Sequence, residues 1–487
     1  MGRYTVRLYR RSRCFMRDRE VTRRGFMAAS AAGLAAGWAG CSAPTPQSAA
    51  STALPERPNI VLIILDTLRA DKLGCYGYPA DTSPEFDALA QAGVRFDRVI
   101  SQCPWTRPSC GSLLTSLYPR TLGLYKEQNE VLPPHFDTLP KLLQQAGYRT
   151  YGITANPNLN EIYNFHLGFD AYEDSAVIFG WMDKEPGKQV RTRGMRLPSA
   201  PEMFAKAVDW AKQGEGPAYM QINAMEIHEW LISNTMVRPE FQDLYTNLGE
   251  RYPRYLQSVR QLTHDVAAFI RELSLVPGWD NTVFALLADH GEGLDDHGDL
   301  EHDRVHGWLL YESAVVVPWV LYHPTWRPAR NIVPQPVRLL EVTPTLLDLA
   351  GVPAPEAMEG RSMLPVLTGA AGAVEMPEYL MTETQWRDAN KLGAYASDWK
   401  LFENKARMAG AGPIELQPRG GGERGSETDQ SQQHPDTTAA MKAYVDQWAA
   451  QYPEAPPMPQ SKQLTPEEVE QMQAIGYLGG TEDQDGS

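Results

Sequence analysis

Two rhythms of apolar positions alternate along the chain. Unbroken apolar runs rich in β-branched residues read as strands buried on both faces, and runs with a three-to-four-residue beat read as helices lying across them. The strongest run, Ile60-Val61-Leu62-Ile63-Ile64-Leu65, stops at Asp66. Further strands are expected at 94–100, 149–155, 219–225, 282–288 and 316–322. Helical spacing falls between them: Ser83-Pro84-Glu85 opens a helix that stops at Gly93, and others are expected at 138–146, 201–212, 255–273 and 344–350. This alternation predicts an α/β fold, a mostly parallel sheet sandwiched by helices.

The pattern weakens at both ends. Beyond about Met376, residues 379–403 are expected to supply strands of a small C-terminal subdomain, 376–487. Within it, 410–436 is rich in Gly, Gln and Ser and reads as a mobile loop, and 466–475 as a last amphipathic segment. At the other end, Arg23-Arg24 precedes a short run of small apolar residues ending at Gly40-Cys41. Residues 1–41 are therefore expected to be a twin-arginine export signal, with Cys41 the lipidated residue of a lipoprotein box. Trp38 departs from the usual Leu of that box. A Ser-, Ala-, Thr- and Pro-rich tether, 42–57, leads into a catalytic domain expected at 58–375. The protein is expected in the periplasm or cell envelope, touching membrane only through that lipid.

Charge narrows the partners. The chain carries a formal −15, but residues 1–40 hold nine Arg against Asp18 and Glu20, so the remainder carries about −22. No nucleic-acid partner is expected, since phosphates demand a basic face. Beyond Cys14 and Cys41 the cysteines are Cys75, Cys103 and Cys110. Cys103 and Cys110 flank Thr106 and are spaced to pair or to stand apart as separate thiols.

Chemistry collects where strands end. Asp66 closes the first strand, Asp289-His290-Gly291-Glu292 follows another, and Glu226-Ile227-His228 a third. Open α/β sheets bind ligands at that edge. Oxygen ligands from Asp66 and Asp289 with the His290 imidazole suit one divalent cation, Ca²⁺, Mg²⁺ or Mn²⁺, with Zn²⁺ less well matched. Thr106, ahead of Pro108, stands at an expected helix N-terminus, which favours an anion. A carboxylate that can hold a metal and a hydroxyl beside an anion pocket are the parts of an ester-cleaving site.

Several stretches together resemble the sulfatase family of the alkaline-phosphatase superfamily. They are Arg57-Pro58-Asn59-Ile60-Val61, Asp66-Thr67-Leu68-Arg69-Ala70-Asp71, Gly74-Cys75-Tyr76-Gly77, Pro104-Trp105-Thr106, Asp289-His290-Gly291-Glu292, His306-Gly307 and Gly360-Arg361-Ser362. The resemblance implies metal-ligand positions for Asp66, Asp289 and His290, a substrate-facing role for His228, and leaving-group protonation or anion contact for His306. It also marks departures. The family's activating motif, C-x-P-S-R, reads Thr106-Arg107-Pro108-Ser109-Cys110 here, and a secondary alcohol cannot become the formylglycine aldehyde. Thr67 replaces the Asp that usually follows the first metal Asp, and Ala155-Asn156-Pro157-Asn158 lies near the place of a missing G-K-W-H-L-G segment.

The resulting expectation is an exported, metal-dependent hydrolase or transferase. It would cleave sulfate or phosphate esters or diesters, with Thr106 as nucleophile and metal-bound through its oxygen. The substrate class is a small anionic ester, a glycan or a lipid head group. A second reading is a fold-retaining lipoprotein that binds anionic glycans or lipids without turnover. Loops 179–197 and 230–252, with Trp181, Trp230 and Tyr245 as ring-stacking candidates, are expected to set specificity.

Overall fold

A computed structural model describes residues 53–125, 130–174, 198–231, 237–297, 303–370, 374–406, 412–419 and 428–458. The segment expected to be an export signal, the whole of the 179–197 loop with Trp181, and the segment 466–475 lie outside the described residues. Strands β1 (Asn59–Leu65), β2 (Val94–Ile100), β3 (Arg149–Thr154), β4 (Ala171–Glu173), β5 (Ala218–Ala224), β6 (Thr282–Leu287), β7 (Val316–Tyr322), β8 (Ile332–Val333) and β9 (Val337–Arg338) share one sheet. Its order is β4-β3-β5-β1-β6-β7-β2-β8, with β9 also on β2.

β1 lies between β5 and β6 and runs parallel to both, pairing Ile63 with Ile222 on one side and Leu286 on the other. An apolar residue at every position from Ile60 to Leu65 is what a strand covered on both faces requires, and each is fully buried. β3 is parallel to β5, while β7 runs against both β6 and β2. Strands β1, β2, β3, β5 and β6 therefore all point their carboxyl ends to one edge.

Helix α1 (Pro84–Ala92) has Pro84 in its first turn and stops at Gly93, as its spacing implies. Helix α2 (Thr106–Thr115) is buried along its whole length, which its small residues allow. A Cβ at Gly111 would lie 2.7 Å from Leu124 Cδ1, so glycine is needed for that approach. Thr343 Oγ1 donates to the Leu113 carbonyl at 2.6 Å and Ser116 Oγ to that of Leu340 at 2.7 Å, tying α2 to the segment leading into helix Val342–Leu349.

The C-terminal chain forms an antiparallel meander, β10 (Leu380–Thr384), β11 (Lys391–Tyr395), β12 (Trp399–Asn404) and β13 (Ile414–Pro418), covered by helix Pro435–Gln451. β13 corrects the expected loop at 410–436, and the helix that begins at Pro435 was not expected. In β13 only Leu416 enters the core; Glu415 is held by the Tyr311 hydroxyl and Asn404, so a polar flank masks the strand. The helix buries only Met441, Val445 and Trp448, a stripe too thin to stand out among alanines and polar residues. Cys75, Cys103 and Cys110 are unpaired thiols, which decides between the two arrangements the sequence left open.

Candidate active site

Asp66 continues β1 by one residue, its N–H donating to the Ala224 carbonyl at 3.0 Å. The side chain is fully buried. Its Oδ2 accepts from Asn156 Nδ2 at 2.5 Å, and its Oδ1 has no hydrogen-bond partner. The chain then turns through Thr67 with φ 60, a left-handed conformation that a β-branched residue rarely adopts. Thr67 Oγ1 donates back to the Asp66 carbonyl at 2.7 Å, so the position of the family's second aspartate presents no side-chain ligand. The Tyr255 hydroxyl holds this turn from behind, donating to the Thr67 carbonyl at 2.6 Å and accepting from Arg69 N–H at 3.0 Å.

Asp289 and His290 leave the end of β6 beside it. His290 Nε2 lies 3.6 Å from Asp66 Oδ1 and 3.5 Å from Asp289 Oδ2. Its Nδ1 is 2.9 Å from the Gly291 carbonyl, an acceptor only, so Nδ1 carries the proton and Nε2 a lone pair. Ser109 Oγ donates to the Asp289 carbonyl at 2.6 Å, and Cys110 Sγ sits 3.8 Å from Asp289 Oδ2. Cys110 thus touches a ligand-type carboxylate at the floor of the site.

Thr106 opens α2, and its Oγ is 3.1 Å from Asn156 Nδ2 and 3.2 Å from His290 Nε2. Asn156 donates, so the hydroxyl proton is directed at the His290 lone pair. Asn156 itself is fixed because its Oδ1 caps the next turn, accepting from Asn158 N–H at 2.8 Å. The His306 ring lies 4.5 Å from that of His290 and 5.0 Å from that of His228. Glu292 backs His306, 3.4 Å from its Nδ1, and accepts from Trp230 Nε1 at 3.2 Å. All six residues singled out in the sequence therefore reach this edge of the sheet.

The two described aromatic candidates, Trp230 and Tyr245, are engaged by other protein groups. Trp230 is 3% exposed and packs edge-on against Tyr252 and Tyr255, while the Tyr245 hydroxyl donates to the Asp81 carbonyl at 2.7 Å. Trp230 is spent on holding Glu292, not on stacking against a ligand.

Burial sets the electrostatics. It raises Asp66 to about 7, with Asp289 beside it adding to the effect, and raises Asp289 to about 6. Burial lowers His290 to about 3, helped by His306, and lowers His306 well below the ordinary imidazole range. Glu292 is raised by burial to about 7. Two crowded acids, each resisting ionisation, beside a neutral imidazole are a site short of positive charge.

A divalent cation fits that shortage. One ligand atom from each of Asp66, Asp289 and His290 lies within 4.8 Å of the others, and Asp66 Oδ1 is an orphaned buried oxygen. The His290 tautomer leaves its lone pair facing the same space. That nitrogen can bind a cation or accept from Thr106, not both at once.

Asn156 and Glu292 carry roles that the sequence reading did not assign. The readable signal was positional: Asn156 follows a strand as Asp66 does, and Glu292 closes a strand-end motif.

A family model described as Sulfatase matches residues 58–352. A Delta 4,5-hexuronate-2-O-sulfatase of Bacteroides thetaiotaomicron is 23% identical over 371 residues, 67% of this chain and 75% of that one. An ulvan-active sulfatase of Formosa agariphila is 23% identical over 360 residues, and the aligned region spans 65% of this chain and only 56% of that relative. The solved phosphonate monoester hydrolase of Silicibacter pomeroyi superposes with a TM-score of 0.60 at 19% identity, covering 82% of this chain and 96% of that one.

Proposed function

The chain belongs to the sulfatase family of the alkaline-phosphatase superfamily, and from that premise we propose a metal-dependent ester hydrolase whose nucleophile is the unmodified Thr106. Its reaction is cleavage of a sulfate ester, with phosphate or phosphonate esters as the alternative transferred group. One observation carries the reading: Thr106 Oγ sits within hydrogen-bond reach of both Asn156 and His290, at the mouth of the Asp66–Asp289–His290 cradle.

A divalent cation held by Asp66, Asp289 and His290, with Thr106 alongside, would lower the pKa of the hydroxyl and offset the charge of an incoming anion. The protein's own groups do the rest. Asn156 Nδ2 holds Thr106 Oγ at a fixed azimuth and offers N–H density where negative charge grows. The helix start at Thr106 favours the sulfuryl or phosphoryl oxygens. Thr106 gives up its hydroxyl proton to solvent, its Oγ bonds to sulfur or phosphorus as the ester oxygen leaves, and His306 or His228 protonates that oxygen. Glu292, 3.4 Å from His306 and still partly protonated near neutral pH, can restock the imidazole. Water then releases the sulfo- or phospho-threonine. The intact cradle favours turnover over the reading of a binding protein that has lost catalysis.

The decisive experiment offers 4-nitrophenyl sulfate and 4-nitrophenyl phenylphosphonate to the metal-loaded protein. Release that depends on the cation and disappears in Thr106→Ala, with a modified Thr106 peptide trapped on acid quench, is expected. Equal release by Thr106→Ala would end the proposal. Export through the twin-arginine leader with anchoring at Cys41 belongs to the same reading, and fractionation of cells carrying Cys41→Ser tests it. Glycans or lipid head groups remain the proposed carriers of the ester; the names of the curated relatives favour sulfated sugars.

A further inference from the structure

Arg107, the second residue of α2, is the only charged residue of that helix and is 2% exposed. A cation in a first turn works against the helix dipole, and burying it adds a desolvation cost, so the placement needs a reason outside the helix. Its contacts supply one. Nη2 donates to Asn158 Oδ1 at 2.7 Å, Nη1 donates to the Glu130 carbonyl at 3.4 Å, and the guanidinium carbon lies 3.7 Å from the Tyr163 ring centroid. Asn158 and Tyr163 belong to two successive short turns after β3, Pro157–Leu159 and Glu161–Tyr163. One planar group therefore grips both turns, the first by a hydrogen bond in its plane and the second by stacking on its face.

That grip leads back to the nucleophile. Asn158 N–H donates to Asn156 Oδ1 at 2.8 Å, and Asn156 Nδ2 donates at 3.1 Å to the Oγ of Thr106, the residue before Arg107. The contacts close a circuit from Thr106 through Arg107, Asn158 and Asn156 to Thr106 again. Within it the two ends of the Asn156 amide answer to different partners. Nδ2 is shared between Thr106 and Asp66, whereas Oδ1 is held by the turn that Arg107 pins. An amide is rigid and planar, so a shift of that turn swings Nδ2 off the hydroxyl.

We propose that Arg107 is a positioning residue for the reaction: seated on Asn158 and Tyr163, it locks the turn that aims the Asn156 amide at Thr106 Oγ. It acts at one remove from the reacting atoms, so its loss falls on kcat and not on KM. This rests on the reading of Thr106 as nucleophile. The test uses whichever of 4-nitrophenyl sulfate and 4-nitrophenyl phenylphosphonate the metal-loaded, full-length protein cleaves. It compares Arg107→Ala, Asn158→Ala, Asn156→Ala and the two doubles that combine either of the first with Asn156→Ala. Arg107→Ala and Asn158→Ala should each lower kcat about tenfold with KM within about twofold, since a mis-aimed donor costs less than a deleted one. In the doubles, kcat should fall no further than in Asn156→Ala alone, because the path runs through that amide. Losses that multiply in the doubles, a loss confined to KM, or wild-type kcat in Asn158→Ala overturns the proposal while leaving Thr106 standing. Should Arg107→Ala not fold, Asn158→Ala, which trims only the acceptor, carries the comparison. If the wild type turns over neither ester, the Thr106 reading fails, and the crystal structure of Asn158→Ala decides alone. Asn156 Nδ2 moved out of hydrogen-bond reach of Thr106 Oγ supports the positioning role, and an unmoved Asn156 overturns it.

Discussion

Asn156 bridges two oxygens, Asp66 Oδ2 and Thr106 Oγ, that a cation and an incoming anion would otherwise pull apart. Asn156→Ala is expected to lower kcat by about 10²–10³, the usual cost of one preorganised donor, with KM changed far less; initial rates measure it. The two aspartates set a pH signature. Both have folded pKa values raised above the ordinary carboxyl value, so the stability they confer without a cation is present below about pH 4. It is lost as pH rises through about 6 for Asp289 and about 7 for Asp66. The buried histidines slope the other way, but only below about 6.5, where the unfolded chain takes up protons. The metal-free protein should therefore lose melting temperature between about pH 6.5 and 7.5, and a divalent cation should return it while releasing protons near pH 6–7. A metal-free melting curve that rises across that window would contradict the burial of these acids.

Loops, not single side chains, hold the cradle together. Arg69 is 4% exposed and joins the turn after β1 to the segment after β6. It forms paired bonds to Asp71 at 2.9 and 2.8 Å, one to Asp296 at 2.6 Å, and others to the Glu292 and Gly293 carbonyls at 3.1 and 3.2 Å. A guanidinium is the one side chain with enough rigid donors for this. Arg69→Ala should weaken cation affinity about 10–100-fold by letting the two ligand loops drift, as read by calorimetry on the metal titration. Arg69→Lys should recover little, since it cannot span the same acceptors. At this scale β1, β2, β3, β5, β6, β7 and most helices were legible to within a few residues because burial on two faces leaves a continuous apolar run, whereas the two- and three-residue strands β4, β8 and β9 were not. β13 and the last helix were not, since each buries only a few side chains.

The C-terminal sheet is fastened to the large one by charge as well as by apolar packing. Arg120 and Glu383 are both buried and meet at 2.9 Å, with the Arg120 guanidinium 4.4 Å from the Trp448 ring centroid. Its Nη1 also donates to the Tyr452 carbonyl at 2.9 Å. Glu383→Ala strands that cation and should cost about 3–5 kcal/mol in urea unfolding, whereas Glu383→Gln, which keeps an acceptor, should cost less.

Local pattern alone determined the strand-end positions of Asp66 and Asp289, the helix start at Thr106 and the surplus of negative charge, since each follows from neighbours within a few residues. It could not reveal that Asn156 touches Thr106, that Trp230 is turned inward to hold Glu292, or that Trp386, after β10, packs on Trp105 beside Thr106. Those contacts join residues from about 50 to 280 positions apart. Only the closing of the sheet, which brings parallel strand ends to one edge, makes them neighbours.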